Sequence, residues 1–157
     1  MSLINSTAIP SSGSYEIDQS LKFNFLDSAY LSKTPSRVGN RKTWTWSGWV
    51  KRGQLNTLFS GSVPEPQEIF SAAASPSGAR TKLGFYNDRL VWGFNATGSS
   101  WNETTTTATF RDATAWYSIV LSVDTTQATA ANRIRLYVNS ELVTSFSSQS
   151  IPSQNTD

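Results

Sequence analysis

The sequence contains no cysteine and no histidine. Disulfide stapling, thiolate catalysis, imidazole metal sites and every Ser-His-Asp or Cys-His arrangement are excluded with them. The missing cysteine is neutral on compartment. Charge is also scarce, at 15% of residues against a typical value of about 25%, and the net charge is +2. Solubility therefore rests on Ser, Thr and Asn. No apolar run approaches the roughly 20 residues of a membrane-spanning helix, and residues 1–13 lack the basic start and apolar middle of a signal peptide. A soluble chain made without export is the expectation. The nine glycines occur singly, so no Gly-x-x-x-x-Gly-Lys phosphate cradle is present. No stretch of ten residues shows a 3.6-residue apolar period, and no repeat of fixed length occurs, which argues against helices, propellers and solenoids.

Aromatic residues are plentiful at 12%, with six tryptophans, and three of these fall in KTWTWSGWVKR at 42–52. Trp44 and Trp46 alternate with Thr43, Thr45 and Ser47, a period of two that places both indoles on one face of a strand. Gly48 leaves a spot on that face free for a bulky ring, and Trp49 falls on the opposite face. The alternation predicts a strand in the middle of a sandwich, covered at least partly on both sides.

Further strands are predicted at 20–25, 29–32, 56–60 and 69–72. A hairpin joins 83–86 to 89–94 through Asn87 and Asp88, and a second joins 133–138 to 141–146 through Asn139 and Ser140. Both pairs tolerate the positive φ that a tight turn demands. The run WYSIVLSVD at 116–124 is a nearly continuous apolar strand with Tyr117, Ile119, Leu121 and Val123 on its buried face. Residues 98–107, GSSWNETTTT, are expected as a polar loop around Trp101, with 108–110 pairing beyond it, and Trp44, Trp46, Trp92 and Trp116 as core. About ten short strands with turns between them describe an all-β fold, a two-sheet antiparallel β-sandwich or jelly roll. Residues 1–14 are expected as an arm and residues 15–157 as the sandwich domain.

In order and spacing, the strand WTWSGWVKR, the hairpin LGFYNDRLVWGF, the strand AWYSIVLSVD and the hairpin IRLYVNSELV resemble the concanavalin A-like lectin/glucanase superfamily, in its laminin G-like and pentraxin-like branch. Trp49, Val50 and Lys51 carry the match, as do Trp116 and Tyr117, and Leu136, Tyr137, Val138 and Asn139. Ser140 stands where the branch usually has Gly, and Ser118 lies near a common His. The tryptophan strand is most similar to laminin G-like domains of bacteriophage tail and other virion proteins. The resemblance implies a non-enzymatic virion module, in a tail fibre or adhesin or as capsid decoration, that docks on other virion proteins and forms homo-oligomers. It also implies closing strands that are missing after the last hairpin. Either another chain supplies them or the 157 residues are part of a longer polypeptide, the second being the expectation here.

The superfamily includes glucanases with a Glu-x-Asp-x-x-Glu pattern, whose nearest counterpart is Glu16-Ile17-Asp18 with Leu21 in the place of the second glutamate. That is no catalytic pair, so no enzyme is expected. Carbohydrate binding, the alternative function, needs an exposed aromatic for a sugar face and polar groups for its hydroxyls. Trp101, Asn102 and Glu103 are the first candidates, followed by Tyr86, Asn87 and Asp88 at the hairpin tip. For Trp101 the bland alternative is a lid folded back on the sheet. No cofactor is expected; Asp88, Asp112 and Asp124 could contribute to a calcium site, but no Asp-rich run supports one.

Partner docking is expected from Leu3, Ile4 and Ile9 of the arm and from Arg41, Lys42, Lys51 and Arg52, part of a basic cluster without acids between Lys33 and Arg52. No nucleic-acid binding is expected, because alternation buries the rings between those basic residues. The sequons at Asn5, Asn95 and Asn102 are expected by chance in so Ser- and Thr-rich a chain.

Overall fold

Alternation produces the first strand as expected. In the computed structural model, which describes residues 20–23, 29–37, 39–53, 55, 58–59, 63–64, 67–73, 79–95 and 101–157, β1 spans Thr43–Lys51. Trp44 and Trp46 point inward and pack on the core. The Trp46 ring lies over Gly48, where a Cβ would come within 2.9 Å of its Cη2. The bare position is thus filled by the strand's own indole.

The remaining strands are β2 (Leu58–Phe59), β3 (Val63–Pro64), β4 (Gln67–Ala73), β5 (Arg80–Tyr86), β6 (Arg89–Asn95), β7 (Asn102–Thr109), β8 (Trp116–Asp124), β9 (Ile134–Val138), β10 (Glu141–Leu142) and β11 (Phe146–Ser148), with one 3₁₀ turn at Ala130–Asn132. They form a four-stranded sheet in the order β1-β8-β9-β10 and a five-stranded sheet in the order β11-β7-β6-β5-β4, with β2 and β3 pairing separately. All pairings in the two larger sheets are antiparallel. This is the expected all-β sandwich.

The core lies between the inner faces of the two sheets. Tyr117, Ile119, Leu121 and Val123 of β8 and Leu136 of β9 meet Leu83, Phe85, Leu90 and Trp92 of β5 and β6. Phe110 bridges them, 5.7 Å from the Phe85 ring and 5.4 Å, edge-on, from Tyr117. Phe70 of β4 sits 6.0 Å from Trp44 and 6.4 Å from Trp46. Large aromatics at these separations add attraction beyond the area they bury.

Four expectations are corrected. The tryptophan strand is an edge strand among the described residues, and β8 and β9 hold the middle of its sheet. Alternation reports which face is buried and carries no information on lateral position. Trp49 is 58% exposed and Trp116 47%, so neither is covered. Trp116 has the opposite parity to Tyr117, Ile119 and Leu121, and the pleat sends it outward.

The third correction concerns residues 102–109, which form strand β7 rather than a loop. Threonine is β-branched and favours extended backbone, and the inward hydroxyls are satisfied. Thr104 donates to the Ser150 carbonyl at 2.9 Å and accepts from the Ser150 N–H at 3.1 Å. Thr106 accepts from the Leu90 N–H at 3.2 Å and donates to the Ala108 carbonyl at 2.9 Å.

The fourth is that residues 20–23 and 29–32 are not strands. Residues 24 and 25 of the expected first strand, the 1–14 arm with Leu3, Ile4 and Ile9, and Glu16 and Asp18 lie outside the described residues. The chain divides into two units, Met1–Val38 and Gly39–Asp157, of which the second carries all the strands named above.

Both tight turns carry the expected positive φ, at Asn87 (50°), Asp88 (60°), Asn139 (51°) and Ser140 (70°). After β10 the chain crosses to the other sheet, where β11 pairs with β7. The segment beyond is tied down: the Asn155 N–H donates to the Thr125 carbonyl at 2.8 Å, and the Thr125 hydroxyl to the Thr156 carbonyl at 2.6 Å.

Two aspartates bracket β8. Asp112 accepts from the hydroxyl and N–H of Thr114 and from the N–H of Ala115. Asp124 accepts from the hydroxyl and N–H of Thr126 and from the Gln127 amide. These bonds, the Thr114 and Thr126 hydroxyls first, hold both carboxyls below their ordinary value of 3.8. A depressed carboxylate pKa stabilises the fold above the ordinary value and ceases to as pH falls through the folded one. The melting temperature is therefore expected to hold down to about pH 4 and to fall below it. An Asp112→Asn/Asp124→Asn variant should show a shallower acid limb in a thermal-melt series.

Candidate functional site

The outer face of the five-stranded sheet collects the polar groups that the alternation of β5, β6 and β7 turns away from the core. The hairpin register sets Lys82 opposite Gly93 and Gly84 opposite Val91, and the β6–β7 register sets Glu103 opposite Gly93. Gly84 in turn faces Glu68 of β4. Two glycines thus pave the centre of the face, with longer side chains rising around them.

Trp101 enters this face from the residue just before β7. Its Cε3 lies 3.2 Å from where a Cβ on Gly93 would stand, as does the Lys82 Cε, with the Glu103 Cγ at 3.4 Å. The indole therefore rests on bare backbone. The Lys82 ammonium is 4.1 Å from the indole centroid and the Arg80 guanidinium 6.0 Å, both within cation–π range. Lys82 also pairs with Glu103 at 3.2 Å. Trp101 remains 39% exposed. One side of the ring is seated on the sheet, as the lid reading expects, and part of it stays exposed.

Beside it lies a depression of about 220 Å³ lined by Glu68, Lys82, Gly84, Phe85, Tyr86, Val91 and Glu103. Gly84 is required there: a Cβ would come within 2.5 Å of the Gln67 carbonyl oxygen, where β4 shifts register. An aromatic ring, a phenol, two carboxylates and an ammonium on one open face can stack on a pyranose and bond its hydroxyls.

Among the expected carbohydrate contacts, the structure brings Trp101, Glu103 and Tyr86 to this face. Asn102 is exposed at the start of β7, with the opposite parity to Glu103, and Asn87 is exposed at the hairpin tip. Asp88 is corrected: it is 5% exposed and pairs with the Arg52 Nη1 at 3.0 Å and the Arg111 Nε at 3.1 Å. Arg52, expected to dock a partner, is corrected with it. At 4% exposure it also donates to the Phe110 carbonyl and, at 2.9 and 3.2 Å, to Gln67, and stacks 4.6 Å over the Phe85 ring. Arg52 follows β1 of one sheet, while Gln67 opens β4 and Asp88 lies in the β5–β6 turn of the other. The pair is a buried cross-brace, and neither residue is free for a ligand.

Of the other expected docking residues, Arg41 and Lys42 pair with Asp157 at 3.2 and 3.7 Å, and Lys51 is exposed. The calcium candidates Asp88, Asp112 and Asp124 are engaged separately by the arginines, threonines and amide described above. Among the described residues no group of three acids converges on one point. Sequence reasoning missed Lys82, Glu68, Gly84, Gly93 and Val91. The signal was present for four of them, since a two-residue turn at Asn87-Asp88 fixes the register that pairs Lys82 with Gly93 and Gly84 with Val91.

A laminin G family model, described as the concanavalin A-like lectin/glucanases superfamily, matches residues 27–157. The chain belongs to this superfamily. No curated protein and no solved structure matched the chain. The match fits a lectin-like or binding module and includes every strand of the sandwich.

Proposed function

We propose that this laminin G-like chain is a non-enzymatic, lectin-like binding module that takes a glycan on the outer face of its five-stranded sheet. The observation that carries this reading is Trp101, seated over Gly93 beside Lys82 and Glu103 with part of its ring open. The indole takes the apolar face of a pyranose, and Glu103, Glu68, Lys82 and Tyr86 take its hydroxyls. The module's setting, on the wording of its tryptophan strand, is a bacteriophage virion. There it docks on other virion proteins through its N-terminal residues and assembles with copies of itself, in a tail fibre or as capsid decoration.

A glycan array probed with the purified chain tests the binding reading. Retention of at least one glycan class is the expected result, and a folded chain that retains none overturns it. Incubation with the retained glycan should release no reducing ends; release that stops in Glu103→Gln would replace the module with a glycosidase. Gly93→Val offers a finer check. Valine suits a strand but fills the seat of the indole, so affinity should fall about tenfold with the melting temperature changed by only a few degrees. Isothermal titration beside a thermal melt reads both.

A further inference from the structure

We propose that the outer face of the four-stranded sheet joins two copies of this chain, packed face to face about a two-fold axis that runs across the strands. The proposal rests on the reading that the module assembles with copies of itself, and it names the surface. At one end of the face stand Trp49, Lys51 and Trp116, with Lys51 opposite Trp116 in the register. At the other end stand Thr45, Ser122 and Asp124. Val120 lies between the ends, and Tyr137 of β9 and Leu142 of β10 continue its row across the sheet. Trp49, Trp116 and Leu142 are all exposed.

The distribution of size and charge selects the occupant. An axis across the strands lays each strand antiparallel on its own counterpart, so the bulky end of one copy covers the small end of the other. Trp49 comes over Thr45 of the second copy and Trp116 over its Ser122 and Asp124, while Lys51 reaches that Asp124. Symmetry makes each contact twice. The row of Val120, Tyr137 and Leu142 falls on the axis and meets itself. Arg135, opposite Ser122, comes over the Asn139 turn, whose N–H donates to the Ser118 carbonyl at 2.8 Å, and so meets no cation. An axis along the strands would instead leave Lys51 and Asp124 at opposite ends, unpaired. An anionic polymer finds Lys51 and Arg135 toward opposite ends of the face, with Asp124 beside the second. Area fits a second copy as well. Strands of nine, nine, five and two residues, at about 3.3 Å by about 4.8 Å per residue, project roughly 400 Å². With side-chain relief, two such faces bury on the order of 1,000 Å², the lower end for a specific interface.

Sedimentation velocity of the intact chain, over a concentration range from about 5 to about 500 µM, tests the proposal. The expected result is a reversible dimer with a dissociation constant on the order of 10–100 µM. Lys51→Glu, which faces Asp124 with a like charge, should weaken it about tenfold or more, as should Trp49→Ser/Trp116→Ser. Lys51→Glu/Asp124→Lys should recover the association of the parent. Within one copy, positions 51 and 124 stand eight strand residues apart, roughly 26 Å, so this recovery acts only between copies. For the same reason, an amide formed from the Lys51 amine and the Asp124 carboxylate, with a carbodiimide taking up the water, joins two copies. Its detection by mass spectrometry in the cross-linked parent is expected, and depends on the folding of no variant. A chain that stays monomeric throughout the range overturns the proposal, as does a dimer that forms no such amide. A dimer unchanged in Lys51→Glu overturns it too, because another surface then holds the copies together. Monomeric Lys51→Glu should still retain the glycan, so failure of the dimer and failure of the Trp101 site are read separately.

Discussion

Replacing Arg52 by methionine should destabilise the chain by about 3–5 kcal/mol, the cost of leaving a buried charge with its partner removed. Methionine keeps the length of the stem, so little of the loss comes from a cavity. What goes is the guanidinium that binds Asp88, Gln67 and the Phe110 carbonyl and covers the Phe85 ring. Arg111 still reaches Asp88, but from a side chain 70% exposed, where an ion pair contributes little. For a chain of this size the melting temperature should drop by roughly 10 °C.

Asp88→Asn should cost less. Asparagine accepts the left-handed backbone required at φ 60°, so the hairpin turn survives the loss of charge. The Arg52→Met/Asp88→Asn double variant is expected to be more stable than Arg52→Met alone, since it removes the stranded carboxylate. Equilibrium unfolding in urea for the four proteins closes the cycle. An Arg52→Met chain as stable as the parent would show that the brace contributes nothing.

Trp101→Ala should lower glycan affinity roughly 30-fold, about 2 kcal/mol, from lost ring stacking and lost apolar burial. Stability should change little, because the indole lies outside the core and rests on Gly93. Removing it also strips Lys82 of its cation–π partner, although the pairing with Glu103 remains. Titration of the parent and Trp101→Ala with the glycan selected on the array measures the difference. Equal affinities would remove Trp101 from the site.

The fold was largely legible because period-two alternation is local. It locates β1, β6 and β8 and says that Tyr117, Ile119 and Leu121 share the buried face. The turns at Asn87-Asp88 and Asn139-Ser140 were equally legible, since few residue pairs accept positive φ. What alternation omits is lateral order, which is why β1 falls at an edge. Parity alone would have turned Trp116 outward, had it outweighed the habit of burying tryptophan. The threonine run of β7 resembled a loop because its inward hydroxyls find partners at Ser150 and Leu90, far away in sequence.

The proposed site was legible in its centre and hidden at its edges. Trp101 and Glu103 stood out as an aromatic beside an acid in a polar stretch. Their floor, Gly93 and Gly84, belongs to two other strands and emerges only when the hairpin register is applied. Asp88 and Arg52 could not be separated from surface charges in the sequence: 36 residues apart, they meet only because the two sheets stack.

The central claim is that a glycan sits on the five-stranded sheet around Trp101, and nuclear magnetic resonance mapping with the glycan retained on the array tests it most directly. Perturbed amides at Gly93, Lys82 and Glu103, together with the indole N–H of Trp101, are the predicted result. Perturbation confined to residues away from that face would contradict the account.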